Sequence, residues 1–212
     1  AQAWALFDEA DVLVDNMRPG VLDRFGFGAA ALRARKPSLI HCAISGFGKQ
    51  GQWADRPTYD HVVQAASGMT LLAGRPEDGP IKVGFPVVDG ATGILAALAV
   101  IAAIRRRDLT GEGECIDVSM FGAAMQLMYP MAVEAMATGK APPRVGNVGY
   151  SGSPGAETFQ CRDGLLALGA NTPQQMLALA RVLKIEAQVA PLLQGQVKGF
   201  VPAQQGDQLR SE

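Results

Sequence analysis

The sequence predicts an α/β fold, a parallel sheet with flanking helices, from two observations. "DVLVDN" (11–16) and "LIHCAISG" (39–46) are short apolar runs of strand length, rich in β-branched residues. Between them "FGAAALRARK" (27–36) supplies helix formers up to Pro37, so strand, helix and strand follow one another within one βαβ unit. Such a crossover lays its two strands parallel. The 212 residues are 48% hydrophobic, enough for a sizeable core in one large domain or two small ones.

Residues 1–9 read as a helix, and "RPG" turns the chain out of the first strand. After the second strand a Gly/Pro-rich loop, "GFGKQGQWADRP" (46–57), leads to a helix over 60–72 and a polar turn, "GRPEDGP" (74–80). A further helix is expected from Gly90 to Arg107, apolar on several faces and closed by three arginines that suit the negative end of its dipole. "ECIDVSM" (114–120) is a strand. "FGAAMQLMYPMAVEAMATG" (121–139) is a helix that Pro130 kinks, "GLLALGA" (164–170) a strand and "TPQQMLALARVLKI" (172–185) a last helix. Beyond about residue 193 the Gln/Gly-rich text carries no assignment, and there is no internal repeat.

Nineteen basic against twenty acidic side chains leave a net charge of −1, so no overall field draws nucleic acid or an anionic membrane. An anionic ligand must be held locally. Cys42, Cys115 and Cys161 are odd in number and lack a CxxC pair, and only His41 and His61 could join them, which argues against a disulfide framework and a metal site. A reducing cytoplasm is the expectation. "ILAALAVIAAI" (94–104) is shorter than the roughly 18 residues of a membrane span, so a buried core helix is expected. The opening "AQAWALFDEADV" reads as a helix entering a strand, without the pattern of a signal peptide.

Several stretches invite chemistry. "GFGKQG" (46–51) matches the dinucleotide pattern G-x-G-x-x-G, yet "QWADRP" follows where a helix should open, so an active-site loop is the better reading. Ser45 and Ser151 sit outside any G-x-S-x-G elbow, which leaves a Ser-His-Asp hydrolase using His61 unsupported. Arg18 and Arg24 follow the carboxyl end of the first strand, the edge where open α/β sheets bind ligands, although such arginines are commonly just solvated. Asn16 commonly just bonds its own backbone there. In "VGFPVVDGATG" (83–93), Asp89 is either a helix N-cap or a nucleophile kept ionised by the helix N-terminus, with Gly90 admitting substrate and first-turn N–H groups facing an oxyanion.

Four stretches together resemble the class III CoA-transferase family, which includes formyl-CoA and carnitine CoA-transferases and the 2-methylacyl-CoA racemases. They are "ADVLVDNMRPGVLDRFGFG", "PSLIHCAISGFGKQGQWADRPTYDHVVQAASGM", "VGFPVVDGATGILAALAVIAAIRRRDLTGEGECIDVSM" and "RVGNVGY" with the later "QCRDGLLALGA", in the family's order over about residues 5–186. The resemblance implies a Rossmann-like CoA-binding domain over 1–139, then a linker and the start of a smaller α+β domain over 140–212. It implies coenzyme A as substrate without a metal, and an interlocked homodimer. It further implies a βα segment ahead of this sequence and more chain after it.

By the same resemblance Asp89 is the nucleophile that moves CoA from an acyl-CoA to a carboxylic acid through aspartyl anhydride and thioester intermediates. CoA contacts fall on Asn16, Met17, Arg18, Arg24 and Phe25. Tyr59 takes the place of the histidine base of the racemases; a phenol is a poor base at neutral pH, so Tyr59 favours transferase over racemase and would line the acyl pocket. Gly149 and Gly152 match a glycine loop near the substrate pocket. A racemase, and a module that binds CoA without turnover, remain the alternatives.

Overall fold

The computed structural model describes residues 2–149 and 152–193. Residues up to Ala73 and from Glu77 to Arg144 form one compact unit; Gly74–Pro76 and the residues from Val145 onward form a second.

The first unit is a three-stranded parallel sheet with helices. Its order is α1 (Gln2–Glu9), β1 (Val12–Asp15), α2 (Val21–Arg24), α3 (Ala29–Arg35), β2 (Ile40–Ser45), α4 (Asp60–Ala66), α5 (Val87–Thr110), β3 (Cys115–Ser119), α6 (Met120–Leu127) and α7 (Tyr129–Thr138). The strands lie side by side as β1-β2-β3, with Val12 opposite Ile40 and His41 opposite Cys115. The central strand β2 has its first four residues buried, which accounts for an unbroken apolar run where an exposed strand would alternate.

Three expectations are corrected. The helix expected over 60–72 ends at Ala66, because Gly68 takes φ +81° and a 3₁₀ turn follows at Met69–Leu71. The helix over 121–139 is divided at Met128 rather than kinked: Pro130 sits in the first turn of α7, where its missing N–H costs no intrahelical bond. α5 begins three residues earlier and ends three later than expected, and at 24 residues it is long and apolar enough to cross a membrane by length and composition. It is not buried all round. Val88, Thr92, Ala96 and Ala103 are buried on a helix that packs along β2, β3, α4 and α6, while Ile94, Leu98 and Ile101 are exposed.

A core of Val63, Met69, Val88, Ala124 and Met128 gathers α4, the start of α5 and the α6–α7 junction. It lies directly beneath the amino end of α5. That placement fixes where the first turn of α5 stands.

The second unit has an antiparallel hairpin of β4 (Thr158–Cys161) and β5 (Gly164–Ala167), then α8 (Pro173–Leu183) and α9 (Glu186–Leu192). β4 and α9 were not anticipated, and β5 stops short of residue 170. Thr172 and Gln175 form a reciprocal capping box at the start of α8, and Met176, Ala180, Val189 and Leu193 pack as the core of the helix pair. Cys42, Cys115 and Cys161 are free thiols.

Between α5 and β3, Gly113 donates its N–H to the Pro37 carbonyl at 2.8 Å. A Cβ there would stand 2.1 Å from the Leu39 carbonyl oxygen, so backbone would have to move. Gly113→Ala is expected to cost about 1–3 kcal/mol, the usual penalty of overpacking, and Gly84→Ala, which meets nothing within 4 Å, within about 0.5 kcal/mol. Urea denaturation midpoints of the two variants check the difference.

Candidate active site

The first turn of α5 is built from outside itself. Pro86 occupies its cap position and supplies no side-chain acceptor. The acceptor comes from α4: one carboxylate oxygen of Asp60 takes the N–H of Val88 at 2.8 Å and that of Asp89 at 2.9 Å. Asp60 is 9% exposed. Its other oxygen accepts from Gln64 Nε2, one helical turn on, and Gln64 Oε1 in turn accepts the Val83 N–H at 2.8 Å. Two buried side chains on one face of α4 therefore hold both ends of the segment 83–89.

This arrangement corrects two expectations about Asp89. It is the third residue of the helix, not its N-cap, so its carboxylate is spared from capping. Nor does the helix end keep it more ionised. Asp89 is solvent-exposed, but partial desolvation, and after it the negative charge of Asp60, raises its pKa above the ordinary aspartate value of 3.8. The two amides that would have favoured the Asp89 carboxylate, or an oxyanion, already donate to Asp60.

Asp89 lines a cavity of 530 Å³ at the carboxyl ends of the parallel strands, the edge at which open α/β sheets bind ligands. Asn16, Met17, Arg18 and Tyr59 line the same cavity, as do Thr92, Gly93 and Arg56. Five of the residues to which the resemblance assigned roles, Asp89 among them, thus come together, and Ser45 lines the cavity with them. The loop after β1 is pinned by Asp15, which accepts the Met17 N–H at 3.1 Å through one oxygen and meets His41 Nε2 at 2.7 Å through the other. So it is Asp15, not Asn16, that makes the local turn bond. A second cavity of 270 Å³ shares Met17, Arg18 and Ser45 with the first and reaches the Asp15–His41 pair.

Other residues stand elsewhere. Arg24 and Phe25, at the end of α2, are exposed and line neither cavity. Gly149 and Gly152 belong to the second unit; Gly149 donates to the Ala156 carbonyl with no room for a Cβ, and Gly152 takes φ +68°. Tyr150 and Ser151 of that loop lie outside the described residues. "GFGKQG" forms no helix and folds with Phe47 and Trp53 against Phe121. Ser45, by contrast, lines both cavities, but its Oγ accepts the Gly48 N–H at 3.0 Å, an ordinary turn bond. The His61 ring stacks on that of Tyr59 at 6.2 Å and is not among the residues lining either cavity.

Asp60, Gln64 and Arg56 escaped the sequence reading. A signal existed for the first two: in "YDHVVQ" an acid and an amide lie four apart around the apolar Val63, on the side of the helix that packs.

The family model of CoA-transferase family III matches residues 1–198. The chain belongs to CoA-transferase family III. An acetyl-CoA:oxalate CoA-transferase from Acetobacter aceti is 41% identical over 140 residues, 66% of this chain and 36% of that protein. A succinate–glutarate CoA-transferase from Agrobacterium fabrum is 34% identical over 178 residues, 84% of this chain and 44% of that one. The crystal structure of a CAIB/BAIF family protein from Brucella suis superposes with a TM-score of 0.75 at 30% identity, over 97% of this chain and 59% of that one. This family III chain spans less than half the length of those two curated relatives.

Asp60→Ala is expected to cost this family III chain about 1–3 kcal/mol, because one buried and one part-buried N–H group and the Gln64 amide lose their acceptor. Asp60→Asn keeps an acceptor oxygen but removes the charge. The Asp89 titration followed by carboxyl carbon NMR should therefore move down in Asp60→Asn yet stay above 3.8, since desolvation, the larger cause, remains.

Proposed function

We propose that this chain carries the nucleophile of a CoA-transferase, with Asp89 accepting and returning the groups exchanged between an acyl-CoA and a carboxylic acid. The observation behind this reading is an exposed Asp89, released from capping by Asp60, in one cavity with Asn16, Met17, Arg18 and Tyr59. An Asp89 oxygen attacks the thioester carbonyl, the C–S bond breaks, and CoA leaves as thiolate with an acyl–aspartyl anhydride behind. The thiolate then attacks the aspartyl carbonyl, releasing the donor acid and forming an aspartyl-CoA thioester. An incoming carboxylate repeats the two steps in reverse order, ending with a new acyl-CoA and a free Asp89 carboxylate. Covalent catalysis of this kind divides one difficult exchange into easier additions.

In this reading the loop Asn16–Arg18 takes the CoA, Arg18 pairing with a phosphate and Met17 packing on its apolar part. Arg24 and Phe25 would extend that contact along the nucleotide. Tyr59 borders the acyl group. A phenol in that place, with His61 turned to stack on it, supports transfer over racemisation, which needs a base near neutrality on that wall. The first unit is the CoA-binding part and the second begins the smaller domain, acting as a homodimer in the cytoplasm.

Incubation with an acyl-CoA followed by intact-mass analysis should show a covalent adduct on the wild-type chain that hydroxylamine removes. Asp89→Asn should show none while still binding CoA. Because the attacking carboxylate must be ionised and its pKa is raised, the rate of adduct formation should fall with acid at a pH above the ordinary aspartate range. Binding of CoA with no adduct at any pH would identify a module that holds CoA without turnover.

A further inference from the structure

We propose that Arg56 selects the acid acceptor, by pairing with the second carboxylate of a dicarboxylic acid whose first carboxylate reacts at Asp89; the inference rests on the transferase reading above. Arg56 lines the Asp89 cavity. Its guanidinium lies 4.9 Å from the centre of the Trp53 ring, and Trp53 meets Phe47 edge-on at 5.2 Å and Phe121 at 6.3 Å. An exposed cation is thus anchored beside a packed aromatic group. A cation–π contact of this kind consumes none of the guanidinium's N–H donors. No carboxylate among the described residues pairs with it. A guanidinium so presented forms a fork that fits a carboxylate with two charge-assisted hydrogen bonds.

Position separates Arg56 from the other cavity arginine. Arg18 stands on the loop after β1, the segment read as holding CoA. Arg56 stands on the strip 54–59 that runs straight into Asp60, the residue holding the backbone of Asp89. The acid and the cation therefore line one cavity, from segments tied together through Asp60. An acceptor presents one carboxylate oxygen to the aspartyl-CoA carbonyl, and the C–S bond breaks as thiolate departs. The thiolate then attacks the acceptor's acyl carbon and Asp89 leaves. The second carboxylate takes no part in these steps and stays ionised against Arg56 throughout. Two relatives are named for oxalate and for succinate and glutarate, all acids with two carboxylates.

The test compares succinate with butyrate, which has the same chain length and one carboxylate. Acceptor kcat/KM is measured at saturating acyl-CoA in wild type, Arg56→Gln and Arg56→Lys, and binding of each acid is followed separately by ligand-observed NMR, which needs no turnover. The preference for succinate is expected to fall about tenfold or more in Arg56→Gln and to recover in part in Arg56→Lys, which keeps the charge but not the fork. A preference that survives Arg56→Gln overturns the proposal. So does a loss confined to the KM for acyl-CoA, which assigns the guanidinium to CoA phosphate. If Arg56-dependent succinate binding is found but no Asp89 adduct forms, the transferase reading fails and the carboxylate site stands. An adduct with an acid preference indifferent to Arg56 is the reverse outcome.

Discussion

One buried carboxylate organises the region on which the functional reading depends. Asp60 accepts the Val88 and Asp89 N–H groups through one oxygen and the Gln64 amide through the other, while Gln64 reaches the Val83 backbone. A charged group 9% exposed is costly unless its lone pairs are filled, and here backbone donors at a helix end fill them. The bargain is mutual, since the first turn of α5 has unpaired N–H groups that must otherwise meet water. Three elements are thereby tied together. α4, the irregular segment before α5, and α5 itself share one set of hydrogen bonds above one apolar core.

That tie explains which parts of the molecule were legible in the sequence. The strands at 11–16 and 39–46 announced themselves as short apolar runs, and the structure places β1 and β2 inside them, with the central β2 buried over its first four residues and the edge strand β1 partly exposed at Val14. The start of α5 was misplaced at Gly90 for a related reason. A helix capped from a distance needs no local Ser, Thr or Asp before it, so "FPVV" carries no start signal and Asp89 looked like the missing cap. The Asp60 contact joins residues 28 and 29 positions apart, and nothing in local spacing reports such a bond. β4 and α9 were lost differently: "TFQC" and "EAQVAPL" are short and mixed in polarity, and their packing partners within the second unit decide them.

The same contrast runs through the candidate site. Arg18 and Arg24 could be picked out because the segment after a parallel strand is where such sheets place ligands, and of the two the structure brings Arg18 to the cavity; Asn16 and Met17 came from the family resemblance. Arg56 gave no such sign. It lies in a Gly/Pro-rich loop with no periodicity, and its placement comes from a ring cluster of Phe47, Trp53 and Phe121. Phe121, the second residue of α6, lies more than sixty residues later, so the loop "GFGKQGQWADRP" is shaped by a distant aromatic as well as by Gly48 and Gly51, which take positive φ. The acids divide labour in a comparable way. Asp15 holds the loop after β1, Asp60 holds the turn under Asp89, and Asp89 alone keeps its carboxylate facing the cavity without a structural duty.

The upward shift of Asp89 bears on the direction of the proposed cycle. In an acyl–aspartyl anhydride the returning thiolate has two carbonyls to attack. Attack at the acyl carbon expels Asp89 and regenerates the starting thioester; attack at the aspartyl carbon expels the donor acid and moves the reaction forward. The weaker base leaves more readily, and an unperturbed aspartate, slightly more acidic than a simple alkyl carboxylic acid, would be the better leaving group. Desolvation and the charge of Asp60 raise the basicity of Asp89 and so work against that bias. A more basic carboxylate is also the stronger nucleophile in the first attack, provided the pH leaves it ionised. In the proposed cycle, desolvation first and the buried acid beneath the site second would therefore bear on how the first intermediate partitions.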